Sequence, residues 1–133
     1  GITHVLNMAG GPDFDGERAA RPQDSGLVHL DLPAEDHRTY PLFERHFDAC
    51  RAFYNGCSDA SGKMLIHCQA GINRSGAMAI ALLVGQGAPA RSLLECVRHV
   101  HSARGTVCSN RGFQVQLAKF VRERRLEPCE AAL

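Results

Sequence analysis

Apolar and polar positions change period several times along the chain, and each change predicts an element. Residues 2–9 (ITHVLNMA) are β-branched and apolar and stop at Gly10-Gly11-Pro12, which predicts a strand closed by a turn. Residues 12–25 are polar, carry Pro, Gly and Asp, and read as a loop. Residues 26–32 (GLVHLDL) set Leu27, His29 and Asp31 against Val28, Leu30 and Leu32, the two-residue period of a second strand. Residues 63–67 (KMLIH) predict a third, short and apolar as a buried parallel strand is. Between the second and third, Phe43, Phe47, Cys50 and Tyr54 recur at helical spacing from about Tyr40. A loop with Gly56, Ser58, Asp59, Ser61 and Gly62 is expected to end that helix. Residues 74–86 are apolar almost all round, which predicts a buried helix. Pro89 suits the first turn of a helix carrying Leu93, Leu94, Val97 and Val100. Ser109 or Asn110 can cap a last helix bearing Phe113, Leu117, Phe120 and Val121. Arg122, Arg124 and Arg125 at its end suit the helix dipole and read as a solvated face.

Strands alternating with helices predict an α/β fold, a central, mostly parallel sheet flanked by helices. At 133 residues the chain reads as one domain, 1–133. Three strands make a thin sheet for four helices, and the first strand opens the chain, so a domain truncated at its N-terminus is expected. A net charge of +1 supplies no field for nucleic acid, and no nucleic-acid partner is expected. The longest apolar stretch, 77–84, is too short to span a bilayer, no signal-peptide pattern is visible, and Cys129 misses the prenylation frame. No membrane association is expected. The cysteines at 50, 57, 68, 96, 108 and 129 form no C-x-x-C pair and are too widely spaced for a metal cage. Reduced thiols in the cytoplasm are expected, with the nucleus open, and no metal. Oligomeric state stays open.

The chemistry concentrates in HCQAGINRSG, residues 67–76. A strand ends at His67 and a helix starts near Arg74, so the loop lies at the carboxyl end of a strand and at a helix N-terminus. Backbone N–H groups converge there and the helix dipole favours an anion. Ala70 and Gly71 let the backbone curl into a nest that holds phosphate or sulfate oxygens. Gln69, Ala70, Gly71, Ile72 and Asn73 would bind them through N–H groups, whatever their side chains. Cys68 opens the loop, and the potential that binds phosphate also lowers a thiol pKa, supplying a thiolate nucleophile. Arg74, six residues on, can grip two phosphate oxygens with its planar fork and stabilise the transition state. A nucleotide-binding loop of the Walker kind would need Gly-Lys-Ser or Gly-Lys-Thr, which the chain lacks. A phosphate ester needs a general acid for its leaving oxygen, and Asp31, Glu35 and Asp36 are the candidates. Thiolate, guanidinium and acid cover every charge, so no cofactor is expected. The Ser75 hydroxyl lies within reach of the sulfur, or caps the following helix.

HCQAGINRSG resembles the His-Cys-x5-Arg-Ser/Thr signature of cysteine-dependent protein phosphatases. GITHVLNMA and SNRGFQVQL resemble a strand and the last-helix motif of the dual-specificity branch, and the resemblance covers nearly the whole chain. It implies a protein-tyrosine-phosphatase-like fold and a phosphocysteine intermediate. Domains of this family begin earlier, with a strand pair and a helix that this sequence lacks. The resemblance implies that the acid is Asp36, with Glu35 as fallback, and that Ser75 assists release of phosphate from the cysteine. It implies that His67, buried beneath the loop, tunes the thiol, and that Asn110 steadies the loop from behind. The lack of long extra loops implies a shallow pocket open to phosphotyrosine, phosphoserine and phosphothreonine on protein substrates. Three alternatives remain. A phosphoinositide phosphatase would place Lys inside the loop. An RNA 5′-phosphatase shares the Asn before Arg but carries His in the loop. A pseudophosphatase would bind phosphate without turnover.

Overall fold

The structure, a computed structural model, describes residues 1–10 and 26–128. The loop expected at 12–25 and the thiol of Cys129 lie outside the described residues. Three parallel strands, β1 (His4–Asn7), β2 (Val28–Asp31) and β3 (Met64–His67), form a sheet in the order β2-β1-β3. Leu6 pairs in register with Leu30 on one side and Ile66 on the other. Together they turn one face of the sheet to the helices, and Leu6 is fully buried. All three expected strands form, the first two trimmed at both ends and the third by one residue at its start. β3 is an edge strand among the described residues, with Leu65 44% exposed, so it is half-buried rather than buried. Val28, the first residue of β2, is also exposed.

Four helices are described: α1 (Leu42–Asp59), α2 (Arg74–Leu83), α3 (Leu93–Arg104) and α4 (Arg111–Glu123). α1 starts after Pro41 and runs through Gly56, Ser58 and Asp59, which were expected to be loop. The apolar stripe of Phe43, Phe47 and Cys50 continues to Cys57, and burial of that thiol outweighs the weak helix propensity of its neighbours. α2 is buried nearly all round, as its composition predicts, and packs on α1, α3, α4 and β3. It ends at Leu83, three residues before the expected end, where Val84 turns extended and Gly85 takes φ +79°. α3 begins after Ser92, not at Pro89. Ser92 and Glu95 form a reciprocal capping box, a signal that sequence reading passed over. Asn110, not Ser109, caps α4, its side chain accepting from the Phe113 N–H at 3.2 Å.

Phe43, Phe47, Phe113, Leu6, Met8 and Met78 fill the core between sheet and helices. Each contributes about 1.5–3 kcal/mol relative to an exposed side chain. Arg124 is not a plain solvated cation. It donates to Asp48 at 2.8 Å and lies over the Phe47 and Phe120 rings, tying the end of α4 to α1.

Candidate active site

β3 delivers Cys68 and α2 begins at Arg74, so the loop between them is held at both ends by packed elements. Gly71 turns it with φ +73°, a conformation other side chains resist. Cys68 is half-buried at the base. Its Sγ lies 3.3 Å from Ser75 Oγ and accepts from the Gly71 N–H at 3.2 Å. Burial opposes the Cys68 thiolate, but hydrogen bonds from the Ser75 hydroxyl and backbone N–H and the Gly71 N–H, with the Arg74 charge, outweigh it. The net effect is a thiol pKa below its ordinary value. Burial pushes Cys50 up to about 12 and Cys108 up to about 11, so those thiols stay protonated.

Arg74 Nη1 donates to the Ala34 carbonyl at 3.0 Å, while its Nε is buried with no hydrogen-bond partner among the described residues. A guanidinium's remaining N–H groups are strong donors to an oxyanion. Ser75 sits inside the first turn of α2, buried, with its hydroxyl on the sulfur rather than in a capping bond.

Asp36 is brought to the rim of the loop. Its carboxylate accepts from Asn73 Nδ2 at 3.2 Å and from Asn110 Nδ2 at 3.1 Å. Glu35 points elsewhere, to His37, and Asp31 holds Asn7 at the end of the sheet. Asn110 therefore serves two ends: it caps α4 and reaches the Asp36 carboxylate. His67 closes β3 and is half-buried rather than buried. Gln69 and Ala70 are exposed, and the Ile72 carbonyl accepts from the Cys108 N–H, ahead of α4, at 2.9 Å.

Sequence reading credited Asn73 only with a backbone N–H. Its side chain is a junction: Oδ1 accepts from the Asn110 N–H at 2.8 Å and from Ser109 Oγ at 3.2 Å, while Nδ2 holds Asp36. The only sequence signal for this was a polar side chain next to Arg74. A cavity of about 600 Å³ opens between the start of α1 and α4, lined by Pro41, Phe43, Gln116 and Phe120 among others. None of residues 67–76 lines it, and a nest of backbone N–H groups needs no deep cavity to hold a tetrahedral anion.

The family model for the dual specificity phosphatase catalytic domain matches residues 1–123. The chain belongs to this family. Dual specificity protein phosphatase 22-A of Danio rerio is 31% identical over 120 residues, covering 90% of this chain and 52% of that protein. The chain spans about half the length of these curated relatives. Among solved structures, a mouse putative dual specificity phosphatase complexed with zinc tungstate superposes with a TM-score of 0.77 at 28% identity. That match covers 98% of this chain and 77% of the mouse chain. Human DUSP28 superposes with a TM-score of 0.77 at 27% identity, covering 94% of this chain and 80% of that one. The fold is that of the dual-specificity and tyrosine phosphatases, as the sequence resemblance implied. No helix among the described residues is long and apolar enough to cross a membrane.

Proposed function

We propose that the chain is a single catalytic domain that hydrolyses phosphate monoesters on phosphotyrosine and on phosphoserine or phosphothreonine proteins through a phosphocysteine. The observation that carries this reading is the Cys68 sulfur, 3.2 Å from the Gly71 N–H and 3.3 Å from the Ser75 hydroxyl, with its thiolate stabilised by the Arg74 charge. In the first step the Cys68 thiolate attacks phosphorus, the S–P bond forms, and the P–O bond to the leaving group breaks. Asp36 gives its proton to the leaving oxygen. The loop N–H groups of residues 69–73 and the Arg74 fork hold the equatorial oxygens as charge redistributes. In the second step Asp36 takes a proton from water, the water oxygen bonds to phosphorus, and the S–P bond breaks. The Ser75 hydroxyl then steadies the departing thiolate. The tungstate bound by the mouse relative, itself an oxyanion, supports the anion-binding part of the reading.

The same chemistry favours a reducing compartment such as the cytoplasm. Cys68 works only as a thiolate, and the five described cysteines are free thiols. The substrate class is tested by comparing phosphotyrosine and phosphothreonine peptides with phosphoinositides and 5′-phosphorylated RNA, with Cys68→Ser as control. Turnover of the peptides above the others is expected. Faster turnover of RNA or phosphoinositide would reassign the substrate, and binding without Cys68-dependent turnover would make the chain a phosphate-binding module.

A further inference from the structure

The loop that carries Asp36 is closed at its neck by a buried pair of side chains. Tyr40 and His46 are 4% and 8% exposed, and their rings stack with centroids 5.7 Å apart. The Tyr40 hydroxyl lies 3.2 Å from the Pro33 carbonyl oxygen and 2.6 Å from His46 Nε2. A carbonyl only accepts, so both bonds form together in one arrangement: the hydroxyl donates to Pro33, and His46 donates to the hydroxyl oxygen from Nε2–H. Pro33 and Tyr40 are the two ends of the segment 33–40, and Asp36 sits between them.

The neck is anchored on three sides. His46 belongs to α1, the Tyr40 carbonyl accepts from Gln116 of α4 at 2.8 Å, and the neighbouring Ala34 carbonyl accepts from Arg74 at 3.0 Å. At the tip, Asp36 is exposed, and among the described residues its side chain is held by two amide bonds. Those bonds go to the carboxylate and weaken when Asp36 carries the proton it must donate, because a neutral carboxyl is a poorer acceptor than an ionised one. The buried neck does not change with that proton. It is the part of the loop able to keep the acid in place through the step that needs it, and an error of about 1 Å there can cost on the order of a hundredfold.

We propose that Tyr40 and His46 are positioning residues for Asp36. The inference rests on Asp36 acting as the general acid. It is tested on the whole chain with two aryl phosphates, 4-nitrophenyl phosphate with a good leaving group and phenyl phosphate with a poor one. kcat/KM is compared, because it covers only the steps through leaving-group departure when that step is irreversible. A misplaced acid penalises the poor leaving group selectively, whereas a general loss of folding lowers both rates alike. In Tyr40→Phe the phenyl-to-nitrophenyl ratio of kcat/KM is expected to fall by about tenfold or more, on general-acid grounds. Combined with Asp36→Asn, it should lower the ratio no further than Asp36→Asn alone. His46→Gln, which can keep a side-chain N–H donor, should hold the ratio above that of His46→Leu. An unchanged ratio, or an equal fall on both esters, overturns the proposal. If Tyr40→Phe yields no folded protein, the two His46 variants carry the same test. Absence of Cys68-dependent turnover in the unmodified chain would instead sink the proposed function, which separates the two failures.

Discussion

Cys68 and its neighbours act as a unit because three donors and one cation converge on a single sulfur. Near neutral pH, iodoacetamide should therefore modify Cys68 well before Cys50 or Cys108, whose thiols burial holds protonated. Peptide mapping of the alkylated, folded protein checks this. Ser75→Ala removes a donor to the thiolate, so the pH midpoint of alkylation should move upward; a downward or absent shift would mean that Ser75 does not stabilise the thiolate. Asp36→Asn should lower turnover of a poor leaving group by ~10²–10⁴ while leaving that midpoint nearly in place. Cys68, Arg74 and Ser75 were legible in the sequence because their geometry is local: ten residues, from the end of a strand to the first turn of a helix, define it. The Asn73–Asp36 bond spans 37 positions and the Tyr40–Pro33 bond turns a loop back on itself, so neither leaves a periodic trace. Asp36 could be singled out from Asp31 and Glu35 only by resemblance. The structure separates them by partners, since Asp31 holds Asn7 and Glu35 turns to His37.

Elements were legible where burial sets the period and less so where caps decide. α2 could be read from its all-round apolar composition, β1 and β3 from their apolar runs, and β2 from its alternation. α3 was displaced at its start because Pro89 drew attention from the Ser92–Glu95 box. The end of α1 was misplaced because Gly56 and two polar residues obscured a stripe that Cys57 continues. One contact between elements carries its own prediction. Gly112, in the first turn of α4, lies against the Arg38 backbone of the acid-bearing segment, and a Cβ there would overlap the Arg38 carbonyl oxygen. Gly112→Ala should destabilise the fold by about 1–3 kcal/mol, the usual range for overpacking, and should reduce activity by displacing the segment around Asp36. Denaturant titration beside aryl phosphate turnover measures both, and a variant unaffected in both would mean that α4 does not brace the loop.

The molecule as a whole couples its stability to the proton on His46. Burial, with the Arg45 charge beside it, holds the His46 imidazole below its ordinary 6.5 in the folded chain. The unfolded chain therefore takes up this proton first as pH falls. Stability from this group is full above the unfolded value of 6.5 and is lost progressively as pH drops towards the lower folded value. The urea midpoint should fall on acidification through that window, and less so in His46→Gln; equal slopes would assign the effect to other groups. The same buried pair spans α1 and the acid-bearing segment, so packing and chemistry meet in one place. The central claim concerns the bond that Cys68 makes. The direct measurement is the mass of the protein quenched in acid during turnover of an aryl phosphate, followed by peptide mapping. One added phosphoryl group on the peptide holding Cys68, absent in Cys68→Ser, is the predicted result. Cys68-dependent turnover with a kinetic demonstration that phosphate passes to water without ever residing on Cys68 would contradict the account.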